Sequence, residues 1–187
     1  MNKALFLDRD GVINVEKNYL YKIDDFEFID GVFDAVGFFR RYGFKVIVVT
    51  NQAGIARDLY SEKDFAELTT WMLNRFLEEG SELDAVLHCP HHPDITGICD
   101  CRKPAAGMIV SAMKQFDIDM QKSILVGDKK SDILAGGNAG MGLNILVESG
   151  HFLSDDDKRL ADLVVPSIAS YEKIFRVYCA KVSQKNK

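Results

Sequence analysis

Short apolar runs that do not alternate with polar residues recur along this chain, and stretches with helical spacing separate them. The runs cover residues 4–7, 46–49, 85–88, 124–126, 144–147 and 163–165. A strand with one wet face alternates apolar and polar residues, whereas one that is apolar at successive positions has to be covered on both faces. Between the runs, residues 30–43 place Val32, Phe33, Val36, Phe39 and Tyr42 on a helical stripe. Ser61-Glu-Lys-Asp64 is a capping box with Asp in place of Glu, and Phe65, Leu68, Met72 and Phe76 continue from it as one face. Further helices are expected over residues 107–116, 132–139 and 171–182. This order predicts one α/β domain over residues 1–187: a doubly wound, Rossmann-like parallel sheet with helices on both faces and no large cap. The polar tail from about 183 is expected to fray. In such a sheet, ligands bind beyond the carboxyl ends of the strands.

The residues with useful chemistry fall at those ends. Asp8 and Asp10 follow the first run, Thr50-Asn51 the second and Gly127-Asp128 the fourth. If the extended geometry persists, Asp8 and Asp10 point to one side. Splitting a phosphate monoester needs a nucleophile, a proton for the leaving oxygen and positive charge around the phosphoryl group. Asp8 can attack, and Asp10 can serve as acid and then as base. Carboxylates facing a phosphate repel it unless a cation intervenes, and oxygen donors suit Mg2+, with Asp128 as a further ligand. Lys103 and the Thr50 hydroxyl supply the positive side, while Gly11 and Gly54 are expected to let backbone N–H groups approach the phosphate. Alone, an Asp-x-Asp is an ordinary solvated turn, and Gly-Asp after a strand is common turn chemistry. Their order, each at a strand end, outweighs those readings.

Residues 89–101 hold three of the four cysteines, with His88, His91 and His92 beside or among them. Four soft or borderline ligands on one loop suit a closed tetrahedral Zn2+. Cys89, Cys99 and Cys101 are the thiol ligands; His91 has the symmetric spacing, with His92 and His88 as alternatives. Three exposed thiols with no metal would be an oxidation liability. Cys179, on the expected last helix, reads as a small buried hydrophobe. A net charge of -5 and a pI near 5.4 argue against nucleic acid or an anionic membrane as partner, since both need a basic face. The early Asp8 does not suit a signal peptide, so a cytoplasmic monomer acting on a small molecule is expected.

Asp8-Arg-Asp-Gly11, Thr50-Asn51, Lys103 and Gly127-Asp128 resemble the four motifs of the haloacid dehalogenase-like phosphohydrolases. The cysteine loop followed by Arg102-Lys103-Pro104 narrows the resemblance to the branch of the histidinol and heptose-bisphosphate phosphatases. Residues 25–31, 48–57 and 89–93 bring it nearer the latter, and the likeness runs from Lys3 to about Gly150. It implies Asp8 as nucleophile and Asp10 as acid/base. It implies Mg2+ on Asp8, the Asp10 backbone carbonyl and Asp128, and Zn2+ on Cys89, His91, Cys99 and Cys101. Substrate contacts would come from Glu16, Lys17, Asn18, Tyr19, Thr50, Asn51, Gln52, Ala53, Arg102, Lys103 and Lys129. Val12 and Ala53 depart from the family's frequent Thr and Ser, without loss of charge.

The resemblance implies a sugar-phosphate phosphatase that takes the C7 phosphate from a heptose bisphosphate, with histidinol phosphate as the rival substrate. Its site would be covered only by loops, with residues 16–21 and the cysteine loop as candidates. A signalling receiver also combines acids, a hydroxyl and a lysine on such a sheet, but its acceptor Asp lies on a later strand and it needs no cysteine loop. A noncatalytic zinc scaffold would not need the full set Asp8, Asp10, Lys103 and Asp128.

Overall fold

In the first strand, β1 (Lys3–Leu7), Leu5 and Leu7 enter one apolar cluster while Ala4 and Phe6 enter another, and all four are fully buried. The next strand, β2 (Phe44–Asn51), divides in the same way, with Val46 and Val48 in the first cluster and Ile47 and Val49 in the second. A sheet apolar on both faces stays folded only with a helix layer on each side.

The computed structural model describes residues 1–185. Its helices and remaining strands are α1 (Val32–Arg41), α2 (Glu62–Glu78), β3 (Ala85–Cys89), α3 (Pro93–Thr96), α4 (Gly107–Phe116), β4 (Ile124–Gly127), α5 (Lys130–Asn138), β5 (Leu143–Val147), α6 (Asp155–Lys158), β6 (Leu163–Val165) and α7 (Tyr171–Lys185). Among the described residues the strands form one parallel sheet in the order β3-β2-β1-β4-β5-β6. Helices α1, α2 and α7 cover the first cluster through Val36, Phe39, Leu68, Met72, Phe76, Ile174 and Tyr178. Helices α4 and α5 cover the second through Met108, Ile109, Ala112 and Ala135.

The sheet is wound outward from β1 in both directions, so β1 and β4 flank the switch point where such sheets open a crevice. Asp8 follows β1 and Asp128 follows β4. Strand β2 is longer than its apolar run and takes in Thr50 and Asn51, which pair with His88 and Cys89. That register places Thr50 beside the start of the cysteine loop.

The capping box of α2 forms as expected: the Asp64 N–H donates to Ser61 Oγ, and the Ser61 N–H donates to Asp64 Oδ2. Two expectations change. Cys179 is exposed, because α7 buries the face carrying Ile174 and Tyr178 and turns residue 179 outward. Helix α7 also continues over residues 183–185, where fraying was expected; residues 186–187 lie outside the described residues. No helix among the described residues is long and apolar enough to cross a membrane.

Candidate active site

Asp8 is pinned to the neighbouring strand, since its N–H donates to the Val126 carbonyl at 3.0 Å. The strand does not persist to Asp10, because the chain bends at Arg9. Asp8 and Asp10 nevertheless line the same cavity, so the turn brings them together and strand alternation does not. Arg9 is 1% exposed and donates from Nη2 to Asp10 Oδ1 at 2.9 Å and to the Leu20 carbonyl at 2.9 Å. Asn14 Nδ2 and Gln52 Nε2 donate to the same Asp10 carboxylate at 3.0 and 3.1 Å. Burial works against its charge, yet Arg9 and these donors hold Asp10 below the usual carboxylate range.

Asp8 differs. Burial pushes its carboxyl up to about 7; Lys103 pulls it down, and Asp132, Asp128 and Asp10 push it further up. Lys103 is 3% exposed, with Nζ 3.0 Å from Asp8 Oδ1, 2.7 Å from Asp132 Oδ1 and 2.7 Å from the Val49 carbonyl. Burial disfavours its charge, but the two carboxylates outweigh that and raise it above its ordinary value. The Lys103 backbone is fixed by Asn51, whose side chain accepts from the Lys103 N–H at 3.0 Å and donates to its carbonyl at 3.1 Å. Gln52, expected to touch substrate, lines the same cavity although it is only 2% exposed. It donates to Thr50 Oγ1 at 2.8 Å and accepts from the Tyr60 hydroxyl at 2.5 Å.

The two glycines leave room for neighbouring side chains. Gly11 has φ +85°, and a Cβ there would meet Asp128 Oδ2 at 2.4 Å, so the missing side chain makes room for that carboxylate. A Cβ on Gly54 would meet the Tyr60 ring at 2.1 Å. That ring stacks on Tyr21 with centroids 5.4 Å apart.

Asp128 is fully buried, and burial, with Asp132 beside it, raises its carboxyl above the usual range. Its Oδ2 accepts from His151, but its buried Oδ1 has no hydrogen-bond partner. Oxygens of Asp8, Asp128 and Asp132 all lie within 4.8 Å of one another. Three hard donors, one with an orphaned oxygen, fit a Mg2+ ion. The Asp10 carboxylate accepts from Arg9, Asn14 and Gln52 and still lines the cavity. Sequence reasoning missed Asp132, whose signal was its place four residues after Asp128 at the start of a helix. It also missed Tyr60 and His151, which only the tertiary fold brings to the cavity.

The cavity measures about 380 Å3 and is also lined by Glu16, Asn18, Tyr19, Ala53, His92, Arg102 and Lys129. The N-terminus of α5 borders it at Ser131, which favours an anion. Asn18 and Tyr19 have φ of 51° and 53°, and the Asn18 N–H donates to Glu16 Oε1. Lys17 stands apart: its ammonium takes the Asp25 carbonyl at 2.9 Å and Glu27 at 3.2 Å. Arg102 is steadied by donation from Nη1 to the His91 carbonyl at 3.0 Å.

Cys89, His91, Cys99 and Cys101 form the second candidate metal centre. Cys101 Sγ lies 2.9 Å from Cys89, 3.4 Å from Cys99 and 3.2 Å from His91 Nδ1. Cys89 Sγ lies 3.6 Å from Cys99 and 3.7 Å from His91 Nδ1. These edges are at or somewhat below those of a tetrahedron with ligand bonds of ~2.0–2.3 Å, and the donors suit Zn2+. Burial raises Cys89. Cys99 is drawn down to about 7, where hydrogen bonds, chiefly with Cys101, outweigh its burial. The other histidines are engaged elsewhere. His92 Nε2 faces Arg57 at 2.8 Å, and His88 meets Glu62 at 2.9 Å.

Comparison with known proteins agrees with this geometry. A HAD-hydrolase-like family model matches residues 100–171. The D-glycero-beta-D-manno-heptose-1,7-bisphosphate 7-phosphatase of Haemophilus influenzae is 43% identical over 180 residues, covering 94% of this chain and 98% of that protein. The D-glycero-alpha-D-manno-heptose-1,7-bisphosphate 7-phosphatase of Campylobacter jejuni is 50% identical over 145 residues, covering 78% and 82%. A crystal structure of D,D-heptose 1.7-bisphosphate phosphatase from B. bronchiseptica, complexed with magnesium and phosphate, superposes with a TM-score of 0.79. It is 27% identical and covers 93% of this chain and 98% of its own. This chain is therefore a phosphoric monoester hydrolase of the haloacid dehalogenase-like superfamily and belongs to the heptose-1,7-bisphosphate 7-phosphatase family.

Proposed function

We propose that the enzyme is a Mg2+-dependent phosphatase that removes the C7 phosphate of D-glycero-D-manno-heptose 1,7-bisphosphate and leaves heptose 1-phosphate. The step would serve the making of nucleotide-activated heptose for bacterial surface glycans. The observation that carries this reading is the setting of Asp8. The Arg9 N–H and Lys103 Nζ both fall on its Oδ1, at 2.7 and 3.0 Å, leaving Oδ2 to the cavity. A carboxylate held by one oxygen presents the other as a nucleophile.

In this reading Asp8 Oδ2 bonds to phosphorus as the bond from phosphorus to the C7 oxygen breaks, and Asp10 gives that oxygen a proton. Asp10, then anionic, takes a proton from water as the water oxygen attacks the aspartyl-phosphate. Inorganic phosphate leaves and Asp8 is restored. Asp10 rests as the anion. The entering phosphate brings like charge, which raises a carboxyl toward the protonated form that the acid role needs. Lys103, charged and buried, opposes the charge on the phosphoryl oxygens. Asp8, Asp128 and the Asp10 carbonyl would hold Mg2+, which supplies further positive charge there when bound. Arg102, with one nitrogen on the His91 carbonyl, offers the rest of its fork to the C1 phosphate. Cys89, His91, Cys99 and Cys101 would hold a structural Zn2+.

Phosphate release from both heptose bisphosphate anomers, histidinol phosphate and simple sugar monophosphates tests the assignment. A heptose bisphosphate gives the highest kcat/KM under this reading; an outright preference for histidinol phosphate replaces it.

A further inference from the structure

The loop after β5 delivers three successive residues to the acidic cluster. Ser149 Oγ donates to the Gly11 carbonyl at 2.7 Å, tying this loop to the turn after β1. Gly150 follows, and a Cβ there would lie 2.1 Å from Asp128 Oδ2, so the backbone closes directly on that carboxylate. His151 then donates twice to the same oxygen, from its backbone N–H at 3.2 Å and from Nδ1 at 2.6 Å. Its Nε2 lies 3.7 Å from Glu16 Oε2, and Lys129 Nζ lies 3.7 Å from the same Glu16 oxygen. The other Asp128 oxygen, Oδ1, is buried and without a hydrogen-bond partner.

We infer that His151 is a positioning residue for the cation site: by occupying Asp128 Oδ2 it fixes the carboxylate with Oδ1 free for the metal. A buried carboxylate with no outer partner can rotate and share both oxygens with neighbouring donors. One held at a single oxygen by a side chain and a backbone N–H keeps one lone-pair direction in place before the ion arrives. Such outer partners commonly change metal affinity by about 10–100-fold when removed. The backbone N–H of residue 151 survives any substitution except proline, so the side-chain contribution can be isolated. The contact with Glu16 extends the same hold to the loop over the cavity, where Arg9 already grips the Leu20 carbonyl. The inference rests on the acidic cluster being the cation site, and it does not depend on which phosphate ester is the substrate.

The test is Mn2+ binding, followed by electron paramagnetic resonance, to the intact protein exchanged into Mg2+-free buffer. His151→Ala, His151→Asn and Asp128→Ala are compared with wild type. Asp128→Ala removes the ligand itself and marks the signal that belongs to this site. His151→Ala is expected to weaken Mn2+ at this site by about tenfold or more. His151→Asn, whose amide can donate from near the place of Nδ1, should stay within a few-fold of wild type. In turnover, His151→Ala should need more Mg2+ for half-maximal rate and recover when Mg2+ is raised. Equal Mn2+ affinity in wild type and His151→Ala overturns the inference, as does a His151→Asn protein as weak as His151→Ala. If wild type binds no Mn2+ that Asp128→Ala loses, the cation site itself is refuted, independently of the substrate screen.

Discussion

Asp8, Asp128 and Asp132 form one group of side chains that could hold a metal ion, and Cys89, His91, Cys99 and Cys101 form another; both lie near the carboxyl ends of the strands. The acidic group faces a cavity of about 380 Å3, whereas Cys89 is buried in the apolar cluster beneath α4 and Cys99 and Cys101 pack against its edge. Hard oxygens on a cavity leave coordination positions for water and phosphate. Four nitrogen and sulfur donors closed around a point leave none. The acids are also crowded at a cost to stability: burial and like charge push both Asp8 and Asp128 up. On the proposed reading, ligand chemistry and surroundings, not position in the fold, separate a reacting centre from a structural one.

Asp8→Asn attacks the reacting side of this comparison most sharply. Removing the nucleophile while keeping its shape should lower kcat by ~10⁴-fold or more. Because the charged Asp8 is disfavoured where it stands, the melting temperature should hold or rise. A folded Asp8→Asn protein with near-wild-type turnover contradicts the division.

Cys99→Ser attacks the other side. Loss of a structural ligand should cost about 4 kcal/mol or more in denaturant unfolding, with zinc falling below one equivalent by metal analysis. Withdrawal of Mg2+ should instead stop turnover with little change in melting temperature. Zinc absent from carefully purified wild type would end the structural assignment.

Arg102 lies where the two regions meet, one residue after Cys101 and on the cavity wall. Arg102→Ala should lose about 1.5–3 kcal/mol of transition-state binding for the bisphosphate, roughly tenfold to a hundredfold in kcat/KM. A sugar monophosphate should be spared, whereas Lys103→Ala should impair both. Equal losses for both substrates in Arg102→Ala would show that it does not read the second phosphate.

The smallest effect is a pH slope. The Asp8 carboxyl is raised from 3.8 to about 7 in the fold, so its contribution to stability is fully present below about pH 4 and is lost as pH rises through about 7. Metal-free protein should show that slope between those limits in urea unfolding, and Asp8→Asn should lack Asp8's share of it. An identical slope in the two proteins would mean that Asp8 is not the strained group.

The fold was readable in the sequence because burial on both faces leaves short runs apolar at successive positions, as at residues 46–49, set between helical stripes. The site was readable where it is local. Asp8, Asp10, Lys103 and Asp128 each follow a strand or a ligand loop, Thr50 lies one residue before the end of β2, and His91 rather than His92 joins the three cysteines, in line with its symmetric spacing. What was not readable comes from contacts distant in sequence. Tyr60 reaches Gln52 only through the turn at Gly54, and His151 reaches Asp128 only because β5 lies beside β4. The carboxylate that Gly11 makes room for lies 117 residues further along the chain. Lys17 had the right charge in the right loop, yet Asp25 and Glu27 hold it outside the cavity.

In the proposed mechanism phosphoryl transfer passes through Asp8. Rapid-quench mass spectrometry of wild type, mixed with Mg2+ and heptose bisphosphate and stopped within one turnover, tests it most directly. A transient phosphoryl group is expected on the peptide containing Asp8, localised to that side chain and absent from Asp8→Asn. Full turnover with no phosphoryl group on Asp8 at any quench time, while the same method detects a synthetic aspartyl-phosphate standard, would contradict it.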